Sequence, residues 1–240
     1  MTDLRRLQVL ELGRVPYADA HALQRRLADR RIARELGQDL LLLLEHDRTV
    51  TLGRGSRASS LPLSVPELEG HGVTVVEVER GGDVTWHGPG QLVGYPILDL
   101  TGHRQDLHWY LRAVEEALIL ALRDLGLTGS RRPGLTGVWI EDRKVASIGI
   151  HVRQWVTTHG FALNLTNDLA DFGLIVPCGI PDVRMTTVAR ERDVSVPPAA
   201  LWPAATAAVT RAFGAVFGLT PVATTLPEAL AGGTAARSTA

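Results

Sequence analysis

The chain has 240 residues, with 25 Lys and Arg against 26 Asp and Glu and a formal net charge of −1. This near-neutral balance argues against broad nonspecific nucleic-acid binding. The single cysteine excludes an intrachain disulfide and a cysteine-rich zinc or iron–sulfur site. The longest apolar run, at 40–44, is far shorter than the roughly 20 residues of a membrane-spanning helix. Charges near the N-terminus replace the apolar stretch of a signal peptide, so we expect a cytoplasmic protein without a membrane segment.

Apolar periodicity and turn residues predict groups of strands separated by helices. In the first half of the chain the predicted elements are strand 7–12, helix 17–36, strand 39–46, strand 49–53, short helix 65–72, strand 73–78, Gly-rich segment 80–91 and strand 92–100. The second half contains helix 106–125, hairpin 136–152, strand 158–165, irregular segment 166–181 and helix 198–217. The strands at 39–46 and 49–53 are expected to pair across a turn at Asp47–Arg48, and the later hairpin turns at Asp142–Arg143.

This order of elements predicts an α+β fold with mixed or antiparallel sheets flanked by helices. We expect a single domain over 1–221. The Ala/Thr/Gly-rich residues 222–240 lack a core pattern and are predicted to form a disordered tail.

Two residues stand out because each type occurs once. Lys144 is the only lysine in a chain that otherwise uses arginine. A lysine can lose its proton and can lower the pKa of a neighbouring thiol, so Lys144 is a candidate for proton chemistry as well as a possible solvated hairpin residue. Cys178 lies in a proline-framed segment, and its residue type fits equally a nucleophile on a rigid loop or a small buried hydrophobe.

Several motifs do not fit their usual chemistry. The segment 50–58 matches a dinucleotide fingerprint, but prolines follow where the helix should begin. The Gly-rich segment lacks the lysine of a nucleotide-binding P-loop. His151 and His159 fall on neighbouring predicted strands, but no third metal ligand can be nominated, so we expect no metal.

Three segments together resemble the lipoyl(octanoyl) transferase family, within the larger group of biotin and lipoate protein ligases. They are RGGDVTWHGPGQLVGYPILDL at 80–100, GVWI and RKVASIGIHV within 137–152, and HGFALNL with IVPCGI within 159–180. The TLGR segment at 51–54 also looks like this family, and the resemblance covers about residues 7–190.

The resemblance implies that Cys178 is the acyl-thioester nucleophile and that Lys144 is the partner that lowers the pKa of its thiol. It also implies three walls of an acyl pocket, formed by Arg80, Gly81, Gly82, Asp83, Val84, Thr85, Trp86 and His87, by Ser147, Ile148 and Gly149, and by Gly160, Phe161 and Ala162. Because Arg54, Arg57 and Arg80 flank the Gly-rich segments, we expect them to form a basic pocket mouth that attracts acidic partners.

The implied reaction moves an octanoyl group from octanoyl-acyl carrier protein to a lysine of a lipoyl domain, without ATP or metal. The acceptors would be the lipoyl domains of 2-oxoacid dehydrogenase complexes and the glycine-cleavage H protein, and the enzyme would act as a monomer. Three alternatives remain: an ATP-dependent lipoate or biotin ligase, a non-catalytic protein that binds acyl groups or lipoyl domains, and an amidotransferase acting between lipoyl proteins.

Overall fold

The structure is a computed structural model and describes residues 5–176, 183–192 and 198–226. Its strands are β1 (Arg6–Arg14), β2 (Asp39–Glu45), β3 (Thr49–Leu52), β4 (Thr74–Glu77), β5 (Val84–His87), β6 (Gln91–Ile97), β7 (Ser130–Arg132), β8 (Leu135–Ile140), β9 (Arg143–Arg153), β10 (Val156–Asn164) and β11 (Thr220–Ala223). Its helices are α1 (Tyr17–Ile32), α2 (Val65–Gly70), α3 (Leu107–Asp124), α4 (Val188–Glu191) and α5 (Pro198–Phe217).

The strands form two sheets. The larger has eight strands in the order β11-β1-β2-β6-β10-β9-β8-β7, and the smaller has three in the order β4-β3-β5. β1 is parallel to both β11 and β2, whereas β6, β8, β9 and β10 pair antiparallel with their neighbours. The predicted α+β class with mixed sheets is therefore confirmed.

Both faces of the large sheet are covered by helices. In β2, Leu41 and Leu43 pack into the cluster that contains α3 and α5. Leu40, Leu42 and Leu44 pack on the opposite side with the apolar residues of α1. A strand buried on both faces has no polar alternation, which explains the uninterrupted leucine run.

Helices α3 and α5 form the layer on one face. Asp106 caps α3 by accepting a hydrogen bond from the backbone nitrogen of Trp109 at 3.0 Å. The stretch Ala200–Phe217 of α5 is long and apolar enough to cross a membrane, but half of it is buried within the protein. Phe213 of α5 stacks on Phe161 of β10 with ring centroids 5.5 Å apart, so α5 fits the role of a core helix that supports the large sheet.

The predicted pairing of the strands at 39–46 and 49–53 is wrong. β2 pairs with β1 and β6, whereas β3 pairs with β4 and β5 in the other sheet. Both edges of β2 are therefore occupied, and the chain crosses between the sheets after His46. That side chain is fully buried and hydrogen-bonded to the Val15 carbonyl at 2.7 Å, which fixes the crossing point.

Other boundaries also differ from the prediction. α1 ends at Ile32 rather than at residue 36, and Arg34 then adopts a left-handed φ of 61°. The Gly-rich segment contains strand β5. β11 continues two residues past the predicted boundary at 221, because Val222 and Ala223 pair with Gln8 and Val9 of β1. Of the predicted tail, residues 227–240 lie outside the described residues.

Candidate functional site

A cavity of about 350 Å³ lies where the small sheet meets β9 and β10 of the large one. We call it the main cavity because most of the predicted site residues line it. Its lining combines apolar, glycine and polar residues: Tyr17, Arg80, Gly82, Asp83, Val84, Thr85, His87, Tyr95, Gly134, Leu135, Thr136, Lys144, Ser147, Ile148, Gly149, His159, Gly160, Phe161 and Ala162.

Two of the three predicted walls are adjacent strands. Antiparallel pairing of β9 with β10 places Ser147 opposite Ala162, Ile148 opposite Phe161 and Gly149 opposite Gly160, and all six residues line the main cavity. A Cβ at Gly149 would approach the Arg80 side chain and the Gly81 carbonyl oxygen to 3.0 Å. The absence of a side chain at Gly149 therefore permits close contact with the Gly-rich segment.

The third predicted wall, at 80–87 in the Gly-rich segment, faces these two strands. The Gly81 nitrogen donates to the Ile150 carbonyl at 2.8 Å, which joins this block to β9. Of the residues predicted to form the three walls, Gly81 and Trp86 do not line the main cavity. Side chains alternate along a strand, so Thr85 and His87 face the cavity while Trp86 faces the other way. Trp86 packs into a separate apolar cluster with Phe172, and the centroids of their rings lie 5.4 Å apart.

Arg80 is buried in this wall rather than at a surface mouth. It is 6% exposed, and its guanidinium donates to the Thr51 carbonyl at 2.7 Å and to the Thr51 hydroxyl at 2.9 Å. Arg54 and Arg57 are exposed beside it. The predicted basic mouth is therefore wrong for Arg80 because its side chain is buried inside the protein.

Lys144 lies at one end of the main cavity and is 1% exposed. Its ammonium lies 5.6 Å from the centre of the Trp139 ring of β8, within cation–π range. Its backbone nitrogen donates to the Arg184 carbonyl at 2.7 Å, and its carbonyl accepts from the Thr186 nitrogen at 3.0 Å. These bonds connect β9 to the segment that follows the residues around Cys178.

Gly137 gives the Lys144 side chain its space. A Cβ at this position would lie 2.7 Å from Lys144 Cε and 2.6 Å from the Ala146 carbonyl oxygen, and its φ of 133° is rarely adopted by other residues. The Gly137 nitrogen donates to the buried Glu115 carboxylate at 3.2 Å. The other oxygen of that carboxylate accepts from Arg112 and Arg131. Glu115 therefore fixes the backbone against which Lys144 packs.

A chain of buried hydrogen bonds leads from the cavity toward Lys144. The Gln91 amide donates to the Asn164 oxygen at 2.9 Å, so its own oxygen accepts from His87 Nδ1, also at 2.9 Å. Asn164 then donates to the Thr186 carbonyl at 3.0 Å. The Thr186 carbonyl can only accept, and this fixes the direction of donation from His87 to Thr186. Burial lowers the pKa of His87 well below 6.5, which favours its neutral imidazole.

The end of the cavity away from Lys144 holds aromatic and polar residues that were not predicted to form the acyl pocket. Tyr17 begins α1, Tyr95 comes from β6, and His159 comes from β10. His46 donates to the Val15 carbonyl through Nδ1, so its Nε2 accepts from the Tyr95 hydroxyl at 2.7 Å. The sequence signal for His159 is its position in the HGFALNL segment, directly before the predicted wall Gly160, Phe161 and Ala162.

Cys178 lies outside the described residues. The described residues that follow it in the chain, Arg184 and Met185, both pair with the backbone of Lys144. Before it, the Val176 nitrogen donates to the Ser60 carbonyl at 2.9 Å.

Residues 16–210 match the family model of the lipoyl protein ligase A/B catalytic domain. The chain belongs to this family. It is similar to the octanoyltransferase of Gloeobacter violaceus, with 53% identity over 175 residues that cover 73% of this chain and 77% of the relative. It is also similar to that of Acidobacterium capsulatum, with 47% identity over 225 residues that cover 88% and 90% of the two chains.

Solved structures confirm the fold. A lipoate-protein ligase A bound with ATP aligns with a TM-score of 0.72 and 19% identity over 95% of this chain and 92% of the ligase. The bi-partite lipoate protein ligase of Thermoplasma acidophilum, studied with its E2 lipoyl domain, aligns with a TM-score of 0.72 and 21% identity over 95% and 91%. The resemblance that the three segments carried is thus confirmed.

Because His46 is buried as a neutral imidazole, we expect the free energy of unfolding to fall in acid. Burial lowers the pKa of His46 from 6.5 to about 4, so the unfolded chain takes up this proton first as the pH falls. The contribution is fully present above pH 6.5 and is lost as the pH falls toward 4. We expect His46 alone to remove about 2 kcal/mol of unfolding free energy between pH 7 and pH 5.

Urea denaturation of wild type, His46→Gln and the exposed control His108→Gln at both pH values measures this loss. The difference between the two pH values should shrink in His46→Gln and stay unchanged in the control. An unchanged difference in His46→Gln would show that its imidazole does not titrate as described.

Proposed function

We propose that this chain transfers an octanoyl group from octanoyl-acyl carrier protein to a lysine of a lipoyl domain through a thioester on Cys178. The observation that carries the proposal is the buried ammonium of Lys144 at one end of a cavity with apolar walls. Leu135, Ile148, Phe161 and Ala162 line that cavity. Each buried methylene of an acyl chain contributes about 0.8 kcal/mol, so such walls favour a medium-length chain over a short one.

The first half-reaction forms the acyl-enzyme. A free cysteine with a pKa near 8.5 is mostly protonated at neutral pH, and a nearby ammonium favours its thiolate. The Cys178 thiolate attacks the octanoyl carbonyl, a new C–S bond forms, and the bond to the carrier's thiol breaks. Lys144 donates a proton to the departing thiolate. The pairing of Lys144 with Arg184 and Met185, which follow Cys178 closely in the chain, supports their proximity.

The second half-reaction forms the amide. The neutral amine of the acceptor lysine attacks the Cys178 thioester, the C–S bond breaks, and the neutral Lys144 amine accepts the proton that the attacking nitrogen loses. Because the donor thioester is already activated, the reaction needs neither ATP nor a metal. The lipoyl domains of 2-oxoacid dehydrogenase complexes and the glycine-cleavage H protein are the proposed acceptors, and a cytoplasmic monomer is the proposed working form.

The alternative function is ATP-dependent ligation, since a lipoate-protein ligase bound with ATP shares the fold. The relatives named octanoyltransferase, at 53% and 47% identity against 19% for that ligase, favour transfer over ligation.

Mass spectrometry tests the proposed intermediate. After mixing with octanoyl-acyl carrier protein in the absence of ATP, the peptide containing Cys178 should carry an octanoyl adduct that the lipoyl domain then removes. Cys178→Ser should carry no thioester, and Lys144→Arg, which keeps the charge but not the proton transfer, should acylate far more slowly. Transfer that requires ATP and leaves no adduct would support the ligase instead.

Gly137→Ala tests the space around Lys144. The added Cβ would displace the Lys144 side chain and strain the backbone, so we expect a fall in octanoyl transfer of at least about tenfold. Gly126→Ala is the matched control, because Gly126 also has a positive φ, of 81°, but a Cβ there meets no atom within 4 Å. Initial rates and unfolding free energies of both variants are compared. Equal activity in the two, at equal stability, would contradict the assigned role of Gly137.

A further inference from the structure

We propose that His21, Glu79 and His159 form a binding site for a divalent transition metal, with Zn²⁺ as the preferred ion. One nitrogen of each histidine and one Glu79 carboxylate oxygen lie within 4.8 Å of one another. The site is separate from the reacting groups at Lys144 and does not depend on the proposed function.

Both imidazole nitrogens lie close to a single oxygen of the Glu79 carboxylate. Glu79 Oε2 lies 3.1 Å from His21 Nε2 and 3.8 Å from His159 Nε2. Tetrahedral zinc with bonds of about 2.0–2.1 Å separates neighbouring donor atoms by about 3.3 Å. The other carboxylate oxygen, Oε1, lies 4.0 Å from Arg25 Nε, so this arginine contacts the oxygen that does not face the histidines.

The buried side chain of His159 provides independent support for a ligand at this position. The residue is 2% exposed, yet its Nε2 has no hydrogen-bond partner in the described part of the chain. A buried, unsatisfied imidazole nitrogen costs free energy that a bound metal ion would recover.

The His159 backbone is also held in an unusual conformation. Its φ of 56° is left-handed, and its nitrogen donates to Gln24 Oε1 of α1 at 2.8 Å. His21 lies on the same helix, one turn before Gln24. The bond to Gln24 thus holds β10 beside the helix that carries His21, and the two imidazole rings lie 5.4 Å apart.

The donor set indicates the class of ion. Two imidazoles and one carboxylate suit zinc and related transition metals, whereas calcium and magnesium prefer all-oxygen sites. Three protein ligands leave a fourth position for water or another small ligand. A bound ion would link α1, the connection between β4 and β5, and β10.

Two cavities give an ion access to this position. His159 lines the main cavity, and Glu79 lines a neighbouring cavity of about 440 Å³ with His151, Arg25, Arg54 and Arg153 among its other residues. From the sequence, His151 and His159 are expected on neighbouring strands, with no third metal ligand to complete a site. In the structure His151 is instead opposite Thr158, while α1 and the β4–β5 connection supply the two partners of His159.

Titration of the full-length, chelator-treated protein with Zn²⁺ tests the site, with calorimetry for affinity and metal analysis for stoichiometry. We expect one Zn²⁺ per chain and a rise in melting temperature on binding. Glu79→Gln and His21→Ala should each weaken binding by about 100-fold or more, beyond the roughly 10–100-fold cost of losing an outer-sphere partner. The exposed controls Glu69→Gln and His108→Ala should bind as wild type does.

Cys178 is another conceivable zinc ligand, so Cys178→Ser is included and should retain the full stoichiometry and affinity. Circular dichroism establishes that each variant is folded. Absence of stoichiometric binding to the wild type, dependence on Cys178, or unchanged affinity in folded Glu79→Gln and His21→Ala would each overturn the assignment. Octanoyl transfer is not used as a readout, so failure here leaves the proposed function untouched.

Discussion

The buried ammonium of Lys144 is the constraint on which the rest of the site depends. A charge that is 1% exposed is costly unless its surroundings hold and compensate it, and its position must be built into the fold. The β8–β9 hairpin provides that position, with Trp139 beside the ammonium and Gly137 leaving room for the side chain. Glu115 fixes Gly137, while backbone bonds from Lys144 hold the chain segment that follows Cys178.

The cavity joins two sheets, and neutral buried polar groups hold that junction. His46, in the connection from β2 to β3, bonds to Tyr95 of the large sheet. His87 of the small sheet bonds through Gln91 and Asn164 of the large sheet to the Thr186 carbonyl. Satisfied networks of this kind rigidify a site, because any rearrangement leaves buried donors or acceptors unpaired. One end of the cavity is therefore organised around a cation and the other around tyrosines and imidazoles.

The sequence predicts most local elements because their signals are local. Asp106 marks the start of α3, and turn residues predict the hairpin that carries Lys144. Its turn lies at Glu141–Asp142, one residue before the predicted Asp142–Arg143, because Arg143 already pairs with Ile140. Strand partners are different: fully buried β2 shows no alternation, so its pattern could not reveal that β3 belongs to another sheet. Two features of the site could not be predicted either, because they too depend on the tertiary arrangement of the strands and helices. Trp86 shares a strand with His87 but faces the other way, and His21, Glu79 and His159 meet through tertiary packing across sequence separations that no motif records.

The central claim is that Lys144 activates Cys178, and the pH dependence of Cys178 alkylation measures it most directly. Rates with a small neutral alkylating reagent, followed on the Cys178 peptide, give the pKa of the thiol. The account predicts a wild-type pKa clearly below the ordinary value of about 8.5, retained in large part in Lys144→Arg and shifted upward in the uncharged Lys144→Met. The same pKa in wild type and in folded Lys144→Met would contradict it.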